Sequence, residues 1–231
     1  MSNIVVPGVA DFPQTSINRT ISSILTTLQD YVGGGGQEAR NRCLRALDET
    51  VRAFNSMAWR FNRKTTDITF NTSVATSDYP LDATVRDVWK VMLLDSSTEL
   101  VDEIPFVSYQ DFLLYDGSTQ SPVSIPNEYT LFNVFDTGNI RFLPRLGTTF
   151  TYPKARIFWH KRIVVPSADD NSTLVVPQEV ETAIVRQAAA LLVARTRTFE
   201  EAARARADAD NVTLAAQREW RDFPDFSQKM R

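Results

Sequence analysis

The period of the hydrophobic pattern changes twice along this 231-residue chain, and that double change sets the fold class. From Ile17 to Phe61 apolar residues return every three or four positions, as on one side of a helix. After Lys64 they alternate with polar residues, as in half-buried strands. Beyond Pro177 the helical spacing comes back. The pattern predicts an α+β protein: a helical bundle built from N- and C-terminal helices, with an inserted β-rich domain.

Residues ahead of Ile17 include Pro7, Gly8 and Pro13 without periodicity and read as an extended arm. Ile17, Ile21, Ile24, Leu25 and Leu28 then predict a short amphipathic helix, ended by Gly33-Gly34-Gly35-Gly36. The glycine run lacks the Lys-Ser/Thr that completes a phosphate-binding loop, so it reads as a hinge. Leu44, Leu47, Val51, Phe54, Ala58 and Phe61 predict one helix through to Phe61. At about 100° per residue, Arg42, Arg45, Arg52, Arg60 and Arg63 fall in a wedge of roughly 80° on its other side. That stripe could face DNA or an acidic partner, or could be a solvated or intersubunit salt-bridged face.

Ile68, Phe70, Thr72 and Val74 predict a first, half-buried strand, and Val85 to Leu94 a more continuous one covered on both faces. Ser108 and Asp111 begin a short helix, and Gly117 to Pro126 form a polar loop. Tyr129, Leu131 and Phe135 turn through Asp136-Thr137-Gly138-Asn139 into Ile140 to Leu143, a hairpin. Ala155 to Val165 is the last strand region. Pro177 opens a helix lined by Val180, Ile184, Ala188, Leu191 and Leu192. Thr198 with Glu201 signals a fresh start, so the C-terminal stretch divides into two helices. The second carries Ala202, Ala205, Ala209, Val212, Ala216 and Trp220 at heptad-like steps and is stopped by Pro224. The expected division is residues 1–36 as an arm, short helix and Gly hinge, 37–64 and 177–223 as a helical domain, 65–176 as a β-rich domain, and 224–231 as a C-terminal tail.

Composition narrows the chemistry. With 43% hydrophobic and 23% charged residues the chain is ordinary globular protein. No apolar run approaches the roughly 18 residues of a membrane span, and Met1-Ser2-Asn3-Ile4 lacks the layout of a secretory signal. One cysteine, Cys43, excludes an internal disulfide, and one histidine, His160, excludes any site that needs two. His160 sits in a predicted strand with no nucleophile motif beside it, which favours a structural role. No cofactor, metal site or catalytic group is implied. Charge is graded: basic to Lys64, acidic from Thr65 to Val176, and balanced beyond. Arginine outnumbers lysine, which suits packed contacts between chains.

Several local signatures follow one another in order. They are Ala58-Trp59-Arg60-Phe61, Lys64-Thr65-Thr66-Asp67-Ile68-Thr69-Phe70, and Ser77-Asp78-Tyr79-Pro80-Leu81. Then come Pro126-Asn127-Glu128-Tyr129, Ile140-Arg141-Phe142-Leu143-Pro144 and Phe158-Trp159-His160-Lys161-Arg162. Leu174-Val175-Val176-Pro177 leads into the helix with Ala188-Ala189-Ala190. Over roughly Arg40 to Phe223 the chain resembles the head-to-tail adaptor proteins of tailed bacteriophages, the connector or neck proteins that sit beneath the portal. Its N-terminal arm, first short helix and Gly run stand as additions to that pattern.

The resemblance implies a structural virion protein, not an enzyme: a homo-oligomeric ring of twelve subunits docked on the portal protein. Such a ring lengthens the channel for double-stranded DNA without sequence-specific binding and offers a platform for tail or nozzle proteins. It implies a place in the virion neck after assembly in the host bacterial cytoplasm, with no membrane partner. The helices would form the ring wall, and the β-rich domain would project toward tail components. The tail would dock on the portal through Phe223, Phe226, Lys229, Met230 and Arg231, and the stripe Arg42, Arg45, Arg52, Arg60 and Arg63 would meet neighbouring subunits or partners. Acidic β-domain residues lining the channel would let DNA slide during genome ejection. The alternatives are another tail-completion or baseplate protein, or a β-domain ligand-binding module with a helical dimerisation region.

Overall fold

The computed structural model describes residues 18–32, 35–73, 78–114, 123–132, 138–144, 146–166 and 171–221. Among them the helices are α1 (Ile21–Val32), α2 (Gln37–Phe54), α3 (Tyr109–Leu114), α4 (Gln178–Thr196) and α5 (Phe199–Trp220). The strands are β1 (Arg63–Thr69), β2 (Asp78–Pro80), β3 (Val85–Leu94), β4 (Leu100–Glu103), β5 (Glu128–Phe132), β6 (Asn139–Leu143) and β7 (Lys154–Lys161). The α+β class read from periodicity is borne out. The chain forms two compact units: Arg63–Arg162 carries all the strands and α3, and the residues on either side of that segment carry the other helices.

In the helical unit α4 is central. Val180, Ala183, Ile184, Ala188 and Leu192 of α4 share one core with Ile24, Leu25 and Leu28 of α1, with Leu47, Val51 and Phe54 of α2, and with Ala216 of α5. The spacing predicts one buried face for α4, but Val185, Ala189, Ala190 and Val193 are buried as well. Contacts with α1, α2 and α5 explain this, since a helix packed on several sides is apolar around most of its girth. The residues before α1 tie it to the chain ahead of α4. Asn18 donates from Nδ2 to the carbonyls of Leu174 (2.7 Å) and Val176 (2.6 Å), and the Ile21 N–H donates to Ser172 (2.8 Å). Glu181, almost wholly buried, accepts from the Arg19 N–H at 3.0 Å and from Arg19 Nε at 2.8 Å, which offsets the cost of burying its charge.

Gly36 precedes α2 with φ at +93°, a backbone state that side chains with a Cβ rarely adopt, so the last glycine of the run is required where it stands. α2 stops at Phe54, not at Phe61. Past Phe54 the apolar spacing persists, but the last turn tightens, with the N–H groups of Ser56 and Met57 donating to the carbonyls of Ala53 and Phe54 three residues back. Ser56 Oγ donates to the Ala53 carbonyl at 2.6 Å, and the Asn55 side chain pairs with the Ile163 backbone. The chain turns and makes a single 3-10 turn, Arg60–Asn62, before β1. At the far end, α5 opens as predicted: Thr198 Oγ1 accepts from the Glu201 N–H, and the Thr198 N–H donates to the Glu201 carboxylate.

In the β unit, β1-β7-β3-β4 form a four-stranded antiparallel sheet and β2-β6-β5 a three-stranded one. One core receives Val91, Leu93, Ala155, Ile157 and Trp159 from the first and Tyr79, Tyr129, Ile140 and Phe142 from the second. Phe70, just past β1, meets Tyr79 and Phe142 ring to ring at 5.8 and 5.1 Å. The β5–β6 hairpin is as predicted, while its turn residues Asp136 and Thr137 lie outside the described residues. β1 begins earlier than the alternation suggests, because Arg63 already pairs with His160. β3 is not covered on both faces: its register shifts against β7 at Val85/Asp87 and Val88/Lys90, leaving Trp89 43% exposed.

Each sheet is also fastened by an arginine fork across directly paired residues. Arg156 on β7 holds both carboxylate oxygens of Asp67 on β1 at 2.7 and 2.8 Å, and Arg141 on β6 holds those of Asp78 on β2. The Arg156 fork keeps the Asp67 carboxyl below its ordinary range.

Candidate assembly interface

The predicted arginine stripe breaks up in the structure. Arg42, Arg45 and Arg52 lie on the outward side of α2, but Arg60 belongs to the 3-10 turn and Arg63 to β1. The five are therefore not one helical wedge; the early end of α2 separates them. Arg42 pairs with Glu38, and Arg52 with Asp48 at 2.7 Å, both one turn back along the helix. Such exposed pairs stabilise a helix by only about 0.3–0.5 kcal/mol. Arg45 is exposed and has no ion-pair partner among the described residues. Arg63 stacks its guanidinium over the Trp89 ring at 5.3 Å within the β unit.

Arg60 has a different task. Its guanidinium donates to the carbonyl of Glu219, in the last turn of α5. Around it the Ala58-Trp59-Arg60-Phe61 motif meets the end of that helix. Trp59 forms a backbone bridge with Arg221, Phe61 sets its ring edge-on to Trp220 at 6.1 Å, and Gln217 donates to the Met57 sulfur at 2.9 Å. Trp59 is only 1% exposed, stacks on Phe54 at 5.6 Å and donates from its indole N–H to the Phe54 carbonyl. The candidate docking residues Phe223, Phe226, Lys229, Met230 and Arg231 follow this junction and lie outside the described residues.

The outward side of α5 carries a feature the sequence reading missed. The heptad-like residues Ala209 and Ala216 are buried with Thr213, and Ala202, Ala205, Val212 and Trp220 are half-buried. Opposite them Phe199, Ala203, Ala207 and Leu214 are exposed, Phe199 at 88% and Leu214 at 51%. At about 100° per residue these four fall within roughly 80°. The signal was present as a second apolar series, offset from the alanines that face α4. The same wedge holds the exposed Asp210, whose carboxylate accepts from Gln187 Nε2 at 2.8 Å, so the series is apolar at both ends and polar between Ala207 and Leu214.

No comparable convergence of reactive groups occurs among the described residues. His160, 4% exposed, shares a 2.6 Å hydrogen bond between Nδ1 and Asp87, with Trp89 beside its ring. Cys43 is buried in the helical core, and burial pushes its thiol pKa up, away from the reactive thiolate. An open cleft of about 340 Å³ is lined by Arg19, Tyr31, Glu181 and Arg186, and the Arg19–Glu181 pair already satisfies its buried charge. No group of three or more His, Cys, Asp or Glu among the described residues could hold a metal ion, and no described helix is long and apolar enough to cross a membrane.

The chain thus combines a helical unit, interrupted in sequence by an antiparallel β unit, with no convergence of reactive groups among the described residues. The family model described as SU10 adaptor protein matches residues 19–225, nearly the whole chain. The chain belongs to the SU10 adaptor protein family, and the resemblance to phage head-to-tail adaptors is borne out. The match begins at Arg19 and so takes in α1, which the motif series had set aside as an addition. The reason is physical, since α1 supplies part of the core around α4. No curated protein matches the chain. Among solved structures it is similar to a chain titled as the neck of an empty GTA particle computed with C6 symmetry, at 15% identity, over 80% of this chain and 94% of that one, with a TM-score of 0.27.

Proposed function

We propose that this adaptor forms a ring of twelve identical subunits docked below the portal in the virion neck, extending the DNA channel and carrying the tail or nozzle proteins. Membership of the adaptor family over residues 19–225 carries the reading. A closed ring needs two different faces on each subunit that fit one another. The outward series Phe199, Ala203, Ala207 and Leu214 on α5, apolar at both ends, supplies one face, and Arg45 on α2 supplies an exposed cation for an acidic neighbour. Residues 223–231 dock on the portal, with Phe223, Phe226 and Met230 as apolar anchors and Lys229 and Arg231 directed to acidic portal groups. DNA passes the lumen without sequence-specific contacts. The subunit is made in the host cytoplasm and joins the particle after the portal.

The test is to mix the purified chain with its portal and image the product. A twelvefold ring on the portal supports the reading. Absence of co-assembly, with both proteins folded, refutes it. A chain that binds tail proteins but not the portal would instead favour a tail-completion or baseplate role.

A further inference from the structure

Two features of the helical unit complement one another. The first is the open cleft between α1 and α4, about 340 Å³, with an apolar part from Tyr31, Val185 and Ala189 and a polar part from Arg19, Gln178 and Arg186. Its arginines hold donors in excess. Arg19 commits its Nε to Glu181, but its terminal amino groups make no bond among the described residues, and its side chain is 37% exposed. Arg186 has its nearest carboxylate, Asp208, at 3.6 Å, beyond hydrogen-bond length. An apolar wall beside unused guanidinium donors fits an apolar side chain carried next to a carboxylate.

The second feature stands at the start of α5. Phe199 is 88% exposed, more than any other large apolar side chain described, so it does not enter the cleft of its own chain. Glu200 beside it is exposed and makes no hydrogen bond or ion pair among the described residues. The capping box holds both in a fixed first turn, since Thr198 and Glu201 bond one another across it. An aromatic side chain on a rigid turn loses little freedom on docking and buries a large apolar area.

We propose that Phe199 and Glu200 of one subunit enter the α1–α4 cleft of the next, Phe199 against Tyr31, Val185 and Ala189, and Glu200 on the guanidinium groups of Arg186 and Arg19. This rests on the reading that the chain forms a ring, and it names the two faces such a ring needs. Knob and cleft are different surfaces, so the contact runs head to tail and repeats from subunit to subunit until the ring closes. Phe199 supplies affinity, and the Glu200 charge fixes the register.

The test uses the full-length chain and its portal, with ring occupancy read by electron microscopy over a range of adaptor concentrations. Phe199→Ser, Glu200→Arg and Arg186→Glu each raise the concentration for half occupancy by about tenfold or more. All three side chains are exposed, so thermal unfolding midpoints stay with the parent's. The double variant Glu200→Arg, Arg186→Glu restores opposite charges across the contact and recovers most of the lost assembly. If the parent forms rings and all three single variants do so at parental concentrations, the contact is refuted and the ring reading survives. If Arg186→Glu blocks assembly while Phe199→Ser and Glu200→Arg do not, the cleft takes a group from the portal and not from a second copy, which also refutes the contact. A double variant no better than either single one overturns the pairing. If the parent forms no ring on a folded portal, the ring reading falls and the contact with it.

Discussion

Asn55 offers the sharpest test of how the helical unit closes. Its side chain acts as a peptide group would: Nδ2 donates to the Ile163 carbonyl at 2.8 Å and Oδ1 accepts from the Ile163 N–H at 2.8 Å. Ile163 is 5% exposed and belongs to the core around α4. Asn55→Ala removes both partners at once. Each lost bond costs about 1 kcal/mol, and a buried backbone group left unpaired adds about 1–3 kcal/mol. Asn55 is half-buried, so water can reach part of the site, and the expected total is about 2–4 kcal/mol. At a urea slope of about 2 kcal/mol per molar, the midpoint for the helical unit falls by about 1–2 M. Circular dichroism at 222 nm, which the helices dominate, follows that unit. Asn41→Ala, which removes only an exposed bond from Gln37, is the control and should change stability by less than about 0.5 kcal/mol. If Asn55→Ala is no more harmful than Asn41→Ala, the Ile163 contact does not close the unit and the reasoning fails.

Phe142→Ala should destabilise the β unit by about 3–5 kcal/mol, because the side chain is fully buried against Phe70 and Tyr79; a thermal midpoint within error of the parent would contradict that. Thr198→Ala should cost about 1 kcal/mol through loss of the α5 cap, seen as faster hydrogen exchange in the first turn only. For Asp67 the folded pKa lies below the ordinary value of 3.8, chiefly through its hydrogen bonds from Arg156. The pair therefore stabilises the fold above about pH 4, and that contribution is lost as pH falls through the lowered folded value. Urea midpoints of the parent and Asp67→Asn should differ at pH 6 and converge toward pH 2; a constant difference would remove the ionic explanation.

What was legible in the sequence was what neighbours in sequence decide. The Thr198–Glu201 capping box, the β5–β6 hairpin and the Pro177 entry to α4 are set within a few residues, and each stands where its local chemistry puts it. The end of α2 is a different case. Apolar spacing continues to Phe61, but α2 ends at Phe54 where Asn55 pairs with Ile163, 108 residues along, and Arg60 and Arg63 leave the predicted stripe. Trp89 lies outside the core for a related reason, since the register shifts in β3 appear only when β7 is laid beside it. The α5 outward series was obscured by its own alanines, which read as packing residues on either side of the helix until α4 showed which side was covered.

The discontinuity of the helical unit has a consequence for how the chain is born. Residues 63–162 carry a complete core of their own and can settle as soon as they have emerged from the ribosome. The apolar sides of α1 and α2 emerge earlier still, yet their shared partner α4 starts only at Gln178, more than a hundred residues after the end of α2. At a synthesis rate of about 5–20 residues per second, those sides wait roughly 6–25 seconds for cover. The outward series on α5 follows α4 but precedes Ala216 and Trp220, so the surface proposed to meet a neighbouring subunit emerges while the helical core is still being completed.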